Sequence, residues 1–147
     1  MAGTSTRRGW VVLVVLVHLL VNLAHGHAHT RLGVGLSTWQ NLYVFTVILI
    51  APLVALVLSF TRLARAGAWL LLASMLGSLI FGAVYHYVII STDNVAHLPP
   101  GSARDLFRMT AMLLVITEVF GVIVAALQCR RKTKIESPTI ASGFWFL

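Results

Sequence analysis

The sequence predicts an all-α integral membrane protein. It reads as a single four-transmembrane-helix bundle over residues 1–147, with N and C termini cytoplasmic. Three observations carry this. Four apolar runs lie near the length of about 20 residues that crosses a bilayer as a helix. Charge is scarce: Asp, Glu, Lys and Arg make up 10% of the 147 residues, and the mean hydropathy is +0.91, where an ordinary soluble domain is about 25% charged. Basic residues also flank the runs unevenly, as topology signals do. The net charge of +7 therefore does not point to nucleic acid, since no basic face alternates with aromatic residues outside the runs.

The spans are predicted at roughly residues 10–29, 39–60, 67–91 and 107–128, with a cytoplasmic tail at 129–147. The first run is short unless its helix continues through His25 and beyond. Arg7 and Arg8 precede it. Arg62 and Arg65 lie between runs two and three, and Arg130, Arg131, Lys132 and Lys134 follow run four. The opposite side receives only Arg31, Arg104 and Arg108, so the positive-inside rule puts the loops at 25–39 and 91–108 outside. Trp10, Trp39 and Trp69 fall at span ends, at headgroup level. The location implied is a cell membrane, of the bacterial or archaeal inner-membrane kind, crossed several times. One alternative for the first run is a cleaved signal peptide, with Arg7 and Arg8 before an apolar stretch and small residues at Ala24 and Gly26. His18 and Asn22 inside that stretch weigh against it.

Run two starts near Ser37 or Thr38, either of which suits a cap, and holds Pro52 mid-span, which frees a backbone carbonyl and predicts a kink. Run three carries Ser74, Ser78 and Gly82 at four-residue spacing, a small-residue ladder for close helix approach that His86 continues. Pro99-Pro100-Gly101 turns the chain into run four, where Ser102 and Asp105 have capping-box spacing. Glu118 lies near mid-depth. The single cysteine, Cys129, excludes an intrachain disulfide and reads as a small apolar residue at a helix end. The tail adds a basic cluster suited to anionic headgroups and an aromatic end, Gly-Phe-Trp-Phe-Leu.

Function is sought in the polar residues, because lipid offers them no hydrogen bonds. His18, Asn22, His25 and His29 fall within an arc of roughly 60° on one helix face, and His27 points away. Topology divides this stripe. His18 belongs to the membrane middle, where Glu118 matches its depth, so the two are the expected intramembrane pair. His25, His29, His86, Asp93 and His97 belong to the outer mouth and form a candidate metal set, with Asn22, Gln40, Asn41 and Tyr43 as supporting polar groups. Imidazole suits copper and zinc. His25 and His29 at i, i+4 can share one ion. Asp93-x-x-x-His97 resembles, over those five residues, the Asp-x-x-x-His metal ligands of membrane methane and ammonia monooxygenase subunits. Haem b held between His25 and His86 is a second cofactor reading.

The function expected is thus a histidine-lined pocket on the extracytoplasmic side that binds a transition metal or b-type haem. The alternatives are a non-catalytic accessory subunit of a larger membrane complex and a proton- or ion-coupled pathway through His18, Glu118, His25 and His86. Partners follow accordingly: the lipid bilayer, a homo-oligomer or a larger membrane complex, and no nucleic acid. The chain has no nucleophile triad, phosphate loop or paired carboxylates, so the reading leans away from an enzyme.

Overall fold

A computed structural model of the chain describes residues 2–130. The tail readings beyond Arg130, its basic cluster and aromatic end, lie outside the described residues. Four helices, α1 (Ala2–Leu32), α2 (Thr38–Leu58), α3 (Ala64–Val88) and α4 (Ser102–Cys129), account for most of them, and no strand occurs among them. Each is long and apolar enough to cross a membrane. Short connections make sequence neighbours antiparallel. Helix α4 packs against both α1 and α3, α2 packs on α3, and a lighter α1–α2 contact closes the ring. The outer surface stays apolar, with Leu20, Leu23, Phe45, Val57, Ile80 and Phe120 all exposed.

Helix α1 runs unbroken to Leu32, so the histidine stripe is helical throughout. Gly33 stops it. Its φ of +66° is left-handed backbone that glycine adopts without a Cβ clash. Gly33 N–H returns to Thr30 O at 3.2 Å and Val34 N–H to His29 O at 3.1 Å, the paired bonds of a Schellman motif. This turn folds Val34 back over His29.

Helix α2 opens with a capping box. The Ser37 side chain accepts from the Gln40 N–H, and the Gln40 side chain accepts from the Ser37 N–H. A π-helical stretch, Val44–Ile50, follows, and α-helix resumes at Ala51. Pro52 brings no N–H to the Ile48 carbonyl four residues back. His18 Nε2, from α1, donates to that carbonyl at 3.2 Å. The break expected from Pro52 is therefore repaired by a neighbouring helix.

Helix α3 begins against α2 so closely that a Cβ on Gly67 would come within 2.8 Å of Leu58 Cβ and 2.9 Å of the Ala55 carbonyl oxygen. Ser74 and Ser78 are buried further along it. Its last turn, Val84–Val88, is π-helical. A π turn holds more residues than an α turn, which counters the drift of a four-residue ladder and keeps His86 inward and buried. After it, Asn94 organises the loop. Its amide donates to Ile89 O at 2.9 Å, and its Oδ1 accepts from the Ala96 N–H at 3.0 Å.

Helix α4 has no side-chain cap. The N-cap is Gly101, at φ +139°, and Ser102 is the first helical residue, one position later than its capping-box spacing implies. The Gly101 carbonyl takes the Arg104 and Asp105 N–H groups instead. Two apolar clusters hold the bundle. Val11, Val14, Val15, Ala55, Leu71, Met75, Val124 and Ala125 fill the end near the N-terminus. Ala28, Leu98, Phe107 and Ala111 fill the other.

Candidate metal centre

Three histidines meet at the end of the bundle where α1 and α3 finish and α4 begins. One ring nitrogen each from His25, His29 and His86 lies within 4.8 Å of the others. His25 and His86 face across the bundle, Nε2 to Nε2, at 3.1 Å. Phe107 is a common wall for the rings, with centroid distances of 4.5 Å to His25, 4.8 Å to His29 and 5.3 Å to His86.

The Nδ1 atom of each ring lies at hydrogen-bond distance from an oxygen. His86 Nδ1 lies 3.1 Å from the Asp93 backbone carbonyl. A carbonyl only accepts, so Nδ1 carries the proton and Nε2 keeps its lone pair. His29 Nδ1 donates in the same way to the Val34 carbonyl at 3.3 Å. His25 Nδ1 lies 2.9 Å from Thr110 Oγ1. That hydroxyl has one proton, and it donates within its own helix to Leu106 O at 2.8 Å, with Phe107 O at 3.0 Å. With its proton on Leu106 O, Thr110 accepts from His25 Nδ1–H, and His25 Nε2 then presents a lone pair as well. In the other proton arrangement Thr110 donates to His25 Nδ1 and His25 Nε2–H donates to His86 Nε2, a hydrogen bond that an ion would replace. Metal-bound imidazoles are oriented by such second hydrogen bonds.

Asp93 sits beside this group. Its Oδ1 lies 3.4 Å from His29 Nδ1, at ion-pair distance, and has no hydrogen-bond donor. Burial pushes the carboxyl above the usual carboxylate range, and the nearby His29 and His86 rings pull the other way. A cavity of about 540 Å³ opens from Gly33–Leu36, passes the histidines and reaches Ser78, Gly82 and Glu118. One turn further in, Met75 presses on Gly121, where a Cβ would meet its sulfur at 2.7 Å. No model of a known protein family matches this chain, and neither a curated protein nor a solved structure matches it.

The structure brings together His25, His29, His86 and Asp93 of the expected set and leaves out His97. His97 is exposed and its Nδ1 lies 3.2 Å from Asn94 Oδ1. The Asp-x-x-x-His spacing would align the two side chains on a helix, but the segment after Ile90 is turns, where that spacing aligns nothing. The expected His18–Glu118 pair is also not formed. Both side chains are buried, at 1% and 2% exposure, yet they make no hydrogen bond or ion pair with each other. His18 is engaged by Ile48 O, with Asn22 Nδ2 donating to the His18 carbonyl at 2.9 Å. Ser78 donates to Glu118 Oε1. Of the supporting polar residues, Asn22 and Asn41 line the cavity. Gln40 serves the α2 cap, and Tyr43 stacks on Phe81 at 4.9 Å. His27 is exposed.

Thr110 and Phe107 were not legible as site residues. Thr110 carried a signal: it precedes Glu118 by eight residues, with Leu114 between, on the same buried face of α4. Thr110→Val keeps the shape and removes the oxygen that holds His25 Nδ1. Metal affinity should fall roughly 10- to 100-fold, as it does when the group hydrogen-bonded to a ligand imidazole is lost, while the melting temperature of the metal-free protein changes little. Isothermal titration of both proteins with zinc measures it.

Proposed function

We propose that this chain is a multi-pass membrane protein, with cytoplasmic termini, that binds one divalent transition-metal ion at the extracytoplasmic mouth of its bundle. His25, His29 and His86 supply the ligands, and Asp93 supplies nearby negative charge or a fourth ligand. The observation that carries this is the trio of rings whose Nδ1 atoms are engaged by oxygens while ring nitrogens converge.

The spacing favours an ion over haem. Metal–imidazole bonds of about 2.0–2.1 Å put two nitrogens of a tetrahedral ion about 3.3 Å apart. His25 and His86 stand at 3.1 Å. Axial ligands on opposite faces of a haem iron would need roughly 4 Å, twice such a bond, with a porphyrin between the rings. Nitrogen donors with one carboxylate, and no thiolate nearby, suit zinc or copper(II). The membrane reading is supported by the four apolar helices and their exposed apolar surface.

Elemental analysis and absorption spectra of detergent-purified protein test this. One equivalent of zinc or copper per chain, with tetrahedral cobalt bands after substitution, is expected. A Soret band with iron, or no ion retained at micromolar metal, refutes it.

A further inference from the structure

At the opposite end of the bundle lies a second cavity, of about 230 Å³, where all four helices meet. Arg8 from α1 and Arg65 from α3 line it, with Gln128 of α4 and Ser59 just past α2. Its inner wall is apolar, including Val11, Ala55 and Leu71. We propose that this cavity is a binding site for a phosphate-bearing anion, gripped between the Arg8 and Arg65 guanidinium groups.

Three observations support the assignment. First, neither arginine has a carboxylate partner among the described residues. The three described acids are engaged elsewhere: Asp93 with His29, Asp105 with Arg104, and Glu118 with Ser78. Two like charges sharing one cavity repel until an anion enters between them. Second, Arg8 is already oriented, its guanidinium 5.6 Å from the Phe60 ring centroid. A guanidinium held in place loses less freedom when it binds. The planar donor fork of arginine fits a phosphate through two bonds at once. Third, the chemistry of the walls is divided. The Ser59 hydroxyl donates to its own helix at Leu56 O, 2.7 Å away, so it offers the ligand no proton. The charged donors in the lining are the two arginines, and Val11, Ala55, Ala68 and Leu71 supply apolar wall.

That division fits a lipid phosphodiester, whose headgroup meets Arg8 and Arg65 while an acyl chain lies along the apolar wall. Basic pockets between helices on the cytoplasmic side bind anionic headgroups in this manner. The lipid source rests on the membrane reading and orientation above; the phosphate site itself rests only on the two arginines and the cavity, and it is independent of the metal centre.

Binding is measured on detergent-purified full chain by native mass spectrometry and thermal melting. The probes are short-chain phosphatidylglycerol, the matching phosphatidylcholine and inorganic phosphate. Phosphatidylglycerol is expected to be retained and to raise the melting temperature, with phosphatidylcholine at least tenfold weaker. Inorganic phosphate binding as tightly as phosphatidylglycerol identifies a soluble anion as the source. Its failure to bind alongside phosphatidylglycerol identifies a lipid. Arg8→Ala/Arg65→Ala should weaken retention at least tenfold. Arg8→Lys/Arg65→Lys, which keeps the charge and loses the fork, should fall in between and serves if the alanine pair does not fold. Arg62→Ala/Arg130→Ala removes the same charge from positions outside the cavity and should retain the anion. Equal binding of the two lipids, or equal loss from both alanine pairs, overturns the site. The zinc content of the Arg8/Arg65 variants should match the parent, which separates this outcome from failure of the metal reading.

Discussion

Replacing His25 and His86 together by alanine should abolish metal retention, a loss well beyond the roughly 10- to 100-fold expected when only a hydrogen-bond partner of a ligand goes. These two rings approach most closely, at 3.1 Å, and come from helices that meet across the bundle. The lone His29 left behind cannot hold an ion at micromolar concentration. The variant should melt below the parent, because two buried, hydrogen-bonded rings are truncated, so metal content is compared on the folded fraction. Unchanged zinc content in a folded variant would place the ion elsewhere. The pH dependence has a definite sign. Burial raises the Asp93 carboxyl above the usual carboxylate range of about 4. A divalent ion nearby favours its ionised form, so binding releases a proton from Asp93 wherever it is still protonated. Affinity then rises as pH climbs through a window just above the usual carboxylate range, and falls as pH drops through it. Asp93→Asn should flatten that segment of the affinity–pH curve. Calorimetry across pH on both proteins decides this.

The reach of the sequence can be seen residue by residue. Hydropathy and charge scarcity indicated four helices because apolar length is a one-dimensional property. The helical period placed His18, Asn22, His25 and His29 on one face, and the small-residue ladder of α3 pointed to His86; both are periodic signals. Depth alone matched His18 to Glu118. Depth says nothing about azimuth around the bundle, and the two rings of contacts proved separate. His97 was tied to Asp93 by helical spacing, which has no force in a segment of turns organised by Asn94. The π-helical turns at Val44–Ile50 and Val84–Val88 leave no compositional trace beyond Pro52. The tautomers depend on backbone carbonyls of Asp93 and Val34 and on Thr110, which only the folded chain brings near the rings.

His18→Ala should destabilise the protein by roughly 2–4 kcal/mol, and about half of the effect should depend on Pro52. The side chain is buried, so truncation leaves a cavity, and it removes the donor seen at the Ile48 carbonyl. Proline at position 52 cannot supply a replacement from within the helix. Pro52→Ala restores an N–H at the position that normally serves Ile48. In that background the carbonyl is satisfied locally, and His18→Ala should cost less. The coupling expected from a double-mutant cycle is about 1–2 kcal/mol, the upper range for hydrogen bonds between apolar helices in a membrane. Thermal or denaturant unfolding in detergent of the four proteins measures it. An equal cost in both backgrounds would show that the His18–Ile48 bond contributes nothing. A cycle of His18→Ala with Glu118→Gln supplies the contrast: the two side chains share no bond, so their effects should add. Coupling there would restore the mid-depth pair that the matching depths suggested. The consequence reaches the metal centre, because His18 lies two turns below His25 on the same helix and ties α1 to the irregular stretch of α2. A variant that loosens this tie should hold zinc more weakly than the parent even though His18 touches no ligand, and Pro52→Ala should recover part of that loss.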